Sequence, residues 1–264
     1  MQIDLRGKTA VVTASTGGIG LASAEGLAGA GATVIVNGRR PEGVERALEQ
    51  LRAAVPGADL HGVTADAGTT EGCATLVDQL SAPDILVNNL GIYEPRDFFA
   101  TTDEDWQRCW DINVMSGVRL ARAWLPTMAE RGWGRTIFLS SESALNIPVD
   151  MIDYGVSKTA YLALSRGLAK RMAGTDVTVN AVLPGPTMSE AVRAELEPEA
   201  QRTGKPIEEV ADAMAVSERP TSIIRRCATA GEVANLIVYL ASPQASATTG
   251  AALRVDGGIV DSIV

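Results

Sequence analysis

The stretch Thr9–Gly20, TAVVTASTGGIG, decides how this chain folds. A short apolar, β-branched run reads as a buried strand, and the glycine-rich turn after it opens onto LASAEGLAGAGA (21–32), a helical pattern. Glycines at such a turn let the backbone come close to a pyrophosphate, which the free N–H groups and positive end of the next helix can hold. Nothing in the chain resembles GxxxxGK[ST], so the turn does not read as a phosphoryl-transfer loop. Further apolar runs come at TVIVN (33–37), LHGVTA (60–65), DILVNN (84–89), RTIFLSS (135–141), VTVNAVLP (177–184) and AALRVD (251–256), with helical patterns between them. Strand and helix in alternation predict a parallel sheet, and runs that are apolar without alternating predict helices on both faces. The fold class expected is α/β: one domain, residues 1–264, built on a doubly wound parallel sheet of seven strands.

The bulk numbers agree with that reading. A chain of 264 residues with 46% hydrophobic and 21% charged residues, both signs dispersed, can bury a substantial core. The net charge of -9 leaves no basic stripe, which argues against nucleic acid as a partner. Cys73, Cys109 and Cys227 form no CxxC pair, so neither a metal site nor a disulfide framework is signalled and a reducing, cytoplasmic address is expected. The apolar run in MQIDLRGKTAVV is too short for a secretory signal or a membrane span. The single histidine, His61, falls in a strand pattern and is not read as a catalytic base.

The residues just after the second strand select the nucleotide. A free ribose is usually held there by a carboxylate, whereas a 2′-phosphate needs a cation. The chain reads VNGRR, and Arg39 and Arg40 precede helix PEGVERALEQL, where cations oppose the helix dipole. Beside the plain reading as a solvated pair, they are read as a 2′-phosphate site, giving NADP(H) as cofactor with NAD(H) still open. Ala14, Gly38, Asp66, Asn88, Ser141 and Pro184 all fall at the carboxyl ends of expected strands, where ligands bind in open α/β sheets. They point into one crevice.

Tyr154 and Lys158 in YGVSK are i and i+4, on one face of a helix. A cation about 4 to 5 Å from a phenol is worth roughly 3 to 4 kcal/mol at an effective dielectric near 20, enough to bring its pKa from about 10 to about 7 to 8. The plainer reading is a solvated lysine beside a half-buried tyrosine.

Taken together these motifs resemble the short-chain dehydrogenase/reductase family. TASTGGIG is similar to its TGxxxGIG cofactor turn and NNLG (88–91) to its NNAG, while Asn113 in DINV, Ser141 in LSSES, YGVSK, PG at 184–185 and VDGG at 255–258 keep the family's order and spacing over essentially the whole chain. Ser141 rather than Ser140 is carried over, because it stands thirteen positions before Tyr154. The resemblance implies a Rossmann fold and hydride transfer between a nicotinamide and a ketone/secondary alcohol pair. It implies catalytic roles for Asn113, Ser141, Tyr154 and Lys158: Tyr154 as proton donor, Ser141 on the carbonyl oxygen, Lys158 on the nicotinamide ribose, and Asn113 anchoring a proton-relay water. The implied cofactor set is Thr13, Ser15, Thr16, Gly18, Ile19, Gly20, Arg39, Arg40, Asp66, Ala67, Asn89, Gly91, Tyr154, Lys158, Pro184, Gly185 and Thr187. Ala14 and Leu90 depart from the pattern, replacing a glycine and an alanine.

Residues 186–230 separate the sixth and seventh strands by more than a usual connection and are expected to be a substrate-loop insertion. A 3-oxoacyl-carrier-protein reductase would need basic residues to grip an acidic carrier, and Arg131, Arg135, Lys170 and Arg171 are candidates. A free small-molecule carbonyl or alcohol, and a non-catalytic NADP-binding redox sensor, remain the alternatives. The resemblance also implies a homo-tetramer or homo-dimer, and no membrane partner is expected.

Overall fold

In the computed structural model, which describes residues 2–263, the apolar runs become strands where the sequence predicts them. The chain runs β1 (Thr9–Val12), α1 (Gly18–Gly29), β2 (Thr33–Gly38), α2 (Pro41–Ala54), β3 (Leu60–Thr64), α3 (Thr70–Gln79), β4 (Ile85–Asn88), α4 (Asp103–Trp110), α5 (Ser116–Arg131), β5 (Gly134–Leu139), α6 (Ile152–Arg171) and β6 (Val177–Pro184). It finishes with β7 (Thr187–Met188), α7 (Glu190–Thr203), α8 (Ile207–Glu218), β8 (Ala228–Thr229), α9 (Ala230–Ala241) and β9 (Ala252–Val255). The seven-stranded sheet has the order β3-β2-β1-β4-β5-β6-β9, parallel throughout. Strand order reverses between β1 and β4, which opens a crevice at their carboxyl ends.

Side chains that alternate along a strand enter opposite cores, which is why the runs show no polar alternation. Ala10, Val12, Val34, Val36, Ile85 and Val87 pack beneath α1, α2 and α9. Val11, Ile35, Leu86, Phe138 and Leu183 pack against α3, α5 and α6 on the other face. Among the described residues no helix is long and apolar enough to cross a membrane.

The sequence pattern predicts one helix over 103–130, and the chain does run on continuously, but Asp111–Met115 forms a π turn that joins α4 to α5. Thr102 and Asp105 form a capping box at its start, and Gly132, at φ +75°, ends it. Residues 186–230 are ordered: β7 pairs with β8, and Ala211, Ala215 and Cys227 form a small core of their own beneath α7 and α8.

The four basic residues considered for a carrier protein lie away from the crevice. Arg135 is buried at the start of β5, its guanidinium donating to the carbonyls of Gly134, Asp176 and Ser242. Arg131 donates to the carbonyls of Ala82 and Pro83, ahead of β4. Lys170 and Arg171 end α6, which runs antiparallel to the strands and so finishes at their amino ends. His61 is exposed and pairs with Asp59 at 3.0 Å.

Candidate active site

The strand ends enclose two adjoining cavities that share Ala14 and Gly91, one of about 980 Å³ and one of about 440 Å³. The smaller is lined by Thr16, Arg39, Asp66, Ala67 and Leu90, the larger by Gly18, Ile19, Gly20, Asn89, Tyr154, Lys158, Pro184, Gly185 and Thr187. Most of the expected cofactor set therefore lines one continuous crevice.

Two members of that set lie beneath it instead. Thr13 is 1% exposed, and its hydroxyl oxygen accepts from the Asn89 and Leu90 amides at 3.0 and 3.1 Å. Ser15 is fully buried, donating to the Val12 carbonyl at 2.7 Å and accepting from the Asn37 amide at 3.0 Å. Their side chains hold the floor of the site and do not reach its surface. Arg40, at the N-cap of α2, is exposed outside the cavity wall, while Arg39 lines it. Neither guanidinium has a side-chain partner among the described residues.

The glycine turn is built for close approach. A Cβ on Gly20 would fall 2.5 Å from Asn89 Nδ2 and 2.7 Å from the Ala14 carbonyl oxygen, so only glycine fits. Asn89 Nδ2 donates to the Thr13 and Ala14 carbonyls at 2.9 and 3.1 Å, locking the turn to the end of β4. Ala14 adopts φ +51°, a left-handed conformation that disfavours a side chain, and it is held there by the Asn37 carboxamide oxygen accepting its N–H at 3.2 Å. At the start of α1 the Gly18 N–H donates to Glu190 Oε2 at 3.1 Å. A carboxylate from the start of α7 thus already occupies this anion-binding helix end. With unpaired cations at Arg39 and Arg40, the chemistry fits a phosphorylated dinucleotide.

The four residues expected to be catalytic lie just after β5, in the π turn and on α6. Lys158 is 3% exposed, and its Nζ donates to the Leu139 carbonyl at 2.8 Å. That ammonium lies 5.6 Å from the centre of the Tyr154 ring. Tyr93 packs edge-on against Tyr154 with ring centres 6.0 Å apart. Burial pushes the Tyr154 phenol up to about 12, against a hydrogen bond with Ser141 that lowers it and the Glu142 charge that raises it further. Burial also pulls Lys158 down to about 8. The lowering of the phenol expected from the lysine is not seen; burial disfavours both charged forms. Tyr154 keeps its proton at neutral pH, which suits a proton donor.

Ser141 rather than Ser140 is free for chemistry. The Ser140 hydroxyl donates to the Lys158 carbonyl at 2.8 Å, inside α6. Ser141 Oγ accepts the Ser143 N–H at 3.1 Å, leaving its own hydrogen to donate. Asn113 is fully buried in the π turn. Its Oδ1 accepts from the Ile92 amide at 2.7 Å, and its Nδ2 donates to the Ile92 carbonyl at 2.8 Å and to Ser157 Oγ at 3.0 Å. These bonds pin the loop after β4 to α6. Beside that loop, a Cβ on Gly91 would fall 2.9 Å from Lys158 Nζ.

Sequence reasoning missed Glu190, Tyr93 and Arg219, all of which line the larger cavity. Arg219 reaches it from the end of α8 and pairs with Glu142 at 2.8 Å. No local pattern marks these residues, because the long connections after β4 and β6 bring them in.

Comparison with known proteins gives concordant relatives. The sequence model of the family described as Enoyl-(Acyl carrier protein) reductase matches residues 13–260. Two Bacillus subtilis proteins, the oxidoreductases named YvaG and YvrD, are 44% and 45% identical to the chain, each aligned over 100% of both partners. The crystal structure of L-sorbose reductase from Gluconobacter frateurii, complexed with NADPH and L-sorbose, superposes with a TM-score of 0.92 at 31% identity, covering 100% of each chain.

Proposed function

The chain belongs to the short-chain dehydrogenase/reductase family, and from that premise we propose that it reduces a ketone to a secondary alcohol with NADP(H), Tyr154 delivering the proton. The observation that carries this reading is Tyr154 and Lys158 lining a crevice whose far end presents Arg39, with Ser141 hydrogen-bonded to the Tyr154 phenol from beneath that lining. When bound, the dinucleotide supplies the hydride. Thr16, Gly18, Ile19, Gly20, Arg39, Asp66, Ala67, Asn89, Gly91, Pro184, Gly185 and Thr187 would hold it, Arg40 approaching from outside the wall.

The chain's own residues do the rest. The Ser141 hydroxyl donates to the substrate carbonyl oxygen and orients it at the Tyr154 hydroxyl. Tyr154 passes its proton to that oxygen as negative charge develops there. The Lys158 ammonium, held by the Leu139 carbonyl, stabilises the phenolate left behind. Residues 186–230 cover the substrate, and the protein associates as a homo-tetramer or homo-dimer. Trp124 and Met128 are core rather than contact residues for such an association, whereas Trp110, 39% exposed, is available to it.

The test is ketone-dependent loss of NADPH absorbance. Wild type is expected to turn over, and Tyr154→Phe to lose about 10²- to 10⁴-fold in kcat while still binding NADPH. Full activity in Tyr154→Phe, or NADPH binding by wild type without turnover of any ketone, would overturn the reading; the second result is what a redox sensor would give.

A further inference from the structure

Two loops bring apolar side chains to the wall of the larger cavity. Tyr93 and Pro95 come from the loop after β4, and Ile147, Pro148, Val149 and Met151 from the stretch between Ser141 and α6. Tyr93, Ile147 and Val149 are 52%, 45% and 86% exposed, so their surface is open to a ligand. Single apolar residues in water are ordinary, but several gathered on one cavity wall mark a place where an apolar group gains by displacing water.

The wall is held in position beside the reacting phenol. The Arg96 N–H donates to the Asp150 carbonyl at 2.7 Å, which ties the two loops together. A Cβ on Gly155 would fall 2.6 Å from Ile147 Cγ2 and 3.1 Å from the Ser143 carbonyl oxygen, so the glycine next to Tyr154 lets Ile147 seat against the start of α6. The Tyr93 ring stands edge-on to the Tyr154 ring, 6.0 Å between centres.

Charge in the same cavity is mostly negative. Glu195 of α7 and Glu218 of α8 line it, and both carboxylates add to the burial that holds the Tyr93 phenol above its ordinary value. The cations of the lining, Lys158 and Arg219, are already bonded to the Leu139 carbonyl and to Glu142. An anionic substrate would meet repulsion there.

From this we infer that the substrates are neutral ketones carrying an apolar arm, aryl or branched alkyl, which lies against Tyr93, Ile147 and Val149 while Tyr154 meets the carbonyl. Those three residues determine specificity. The inference rests on the ketone-reductase reading above.

The experiment compares butanone with the same ketone bearing a phenyl group (benzylacetone) or a carboxylate (levulinate) on its terminal carbon, following NADPH. Wild type is expected to favour benzylacetone over butanone in kcat/KM by about 10- to 100-fold, the effect of taking a phenyl group out of water, and to turn over levulinate least. In the double variant Tyr93→Ser with Val149→Ser the benzylacetone-to-butanone ratio should fall about three- to tenfold. Should that variant fail to give a cooperative melt, Val149→Ser alone, at the most exposed of the three positions, is expected to lower the ratio about threefold.

A preference for butanone or levulinate in wild type, or a ratio unchanged in the variants, would overturn this inference while leaving the reductase intact. An equal fall on all three ketones would also overturn it, since that reports a role in positioning Tyr154 rather than contact with the arm. Slower sedimentation of Val149→Ser with the ratio unchanged would assign the patch to a contact between copies of the chain, and would overturn it too. Absence of turnover with every ketone tried, with NADPH still bound by wild type, would overturn the reductase reading and this inference with it.

Discussion

Lys158 shows how a single residue sets stability against function. Its folded pKa of about 8 lies below the ordinary lysine value of 10.5 because burial penalises the ammonium. Between those values the unfolded chain binds a proton that the folded chain does not, so stability rises with pH through that window and is lowest below about 8. Lys158→Met removes the penalty. Measured by calorimetry without cofactor at pH 7, it is expected to raise Tm by roughly 3–8 °C while abolishing turnover. A lower Tm would mean that the bond to the Leu139 carbonyl outweighs the desolvation. Ala14 stores strain of a related kind: φ +51° costs a side chain about 1–2 kcal/mol, and its N–H and carbonyl bonds to Asn37 and Asn89 hold it there. The sequence marks Ala14 as a departure, but the sign of its φ is decided by those two asparagines.

At the scale of elements, the contact between α7 and α1 carries the clearest consequence. Glu190 is the first residue of α7, and its carboxylate sits on the N-terminus of α1, where the cofactor's pyrophosphate would bind. Two anions cannot share those N–H groups. Glu190→Gln is therefore expected to lower the Kd for NADPH by about 2- to 10-fold in a fluorescence titration, the worth of one charge at a helix end. An unchanged or raised Kd would show that Glu190 does not compete there.

The legibility of the elements tracks the range of the forces that form them. The strands and the YGVSK helix were readable because apolar runs and i, i+4 spacing are local. The π turn was not, since what accompanies it is Asn113 bonding Ile92, twenty-one residues away, and Ser157, forty-four away. Thr13 and Ser15 sat in the right motif yet face inward, a distinction fixed by the pairing of β1 with β2 and β4.

For the whole molecule, the parallel sheet separates two ends with different charge. Chemistry gathers at the carboxyl ends of the strands, among carboxylates, while Arg131, Lys170 and Arg171 stand at the amino ends. Replacing those three by Glu is expected to leave kcat/KM unchanged within about twofold for free ketones and for carrier-bound substrates alike, because screening over the span of the sheet removes their influence on the crevice. A drop confined to carrier-bound substrates at low salt would instead show that an acidic carrier docks at the far end.

The carboxylate at the start of α1 also bears on how fast the protein cycles. A nicotinamide-dependent oxidoreductase must discard its spent cofactor after every turnover, and release of product is often slower than chemistry. A side chain tethered beside the pyrophosphate site at a high local concentration returns as soon as that site begins to open. Glu190 would then shorten the residence of spent cofactor, giving up some affinity in exchange for a faster exchange step.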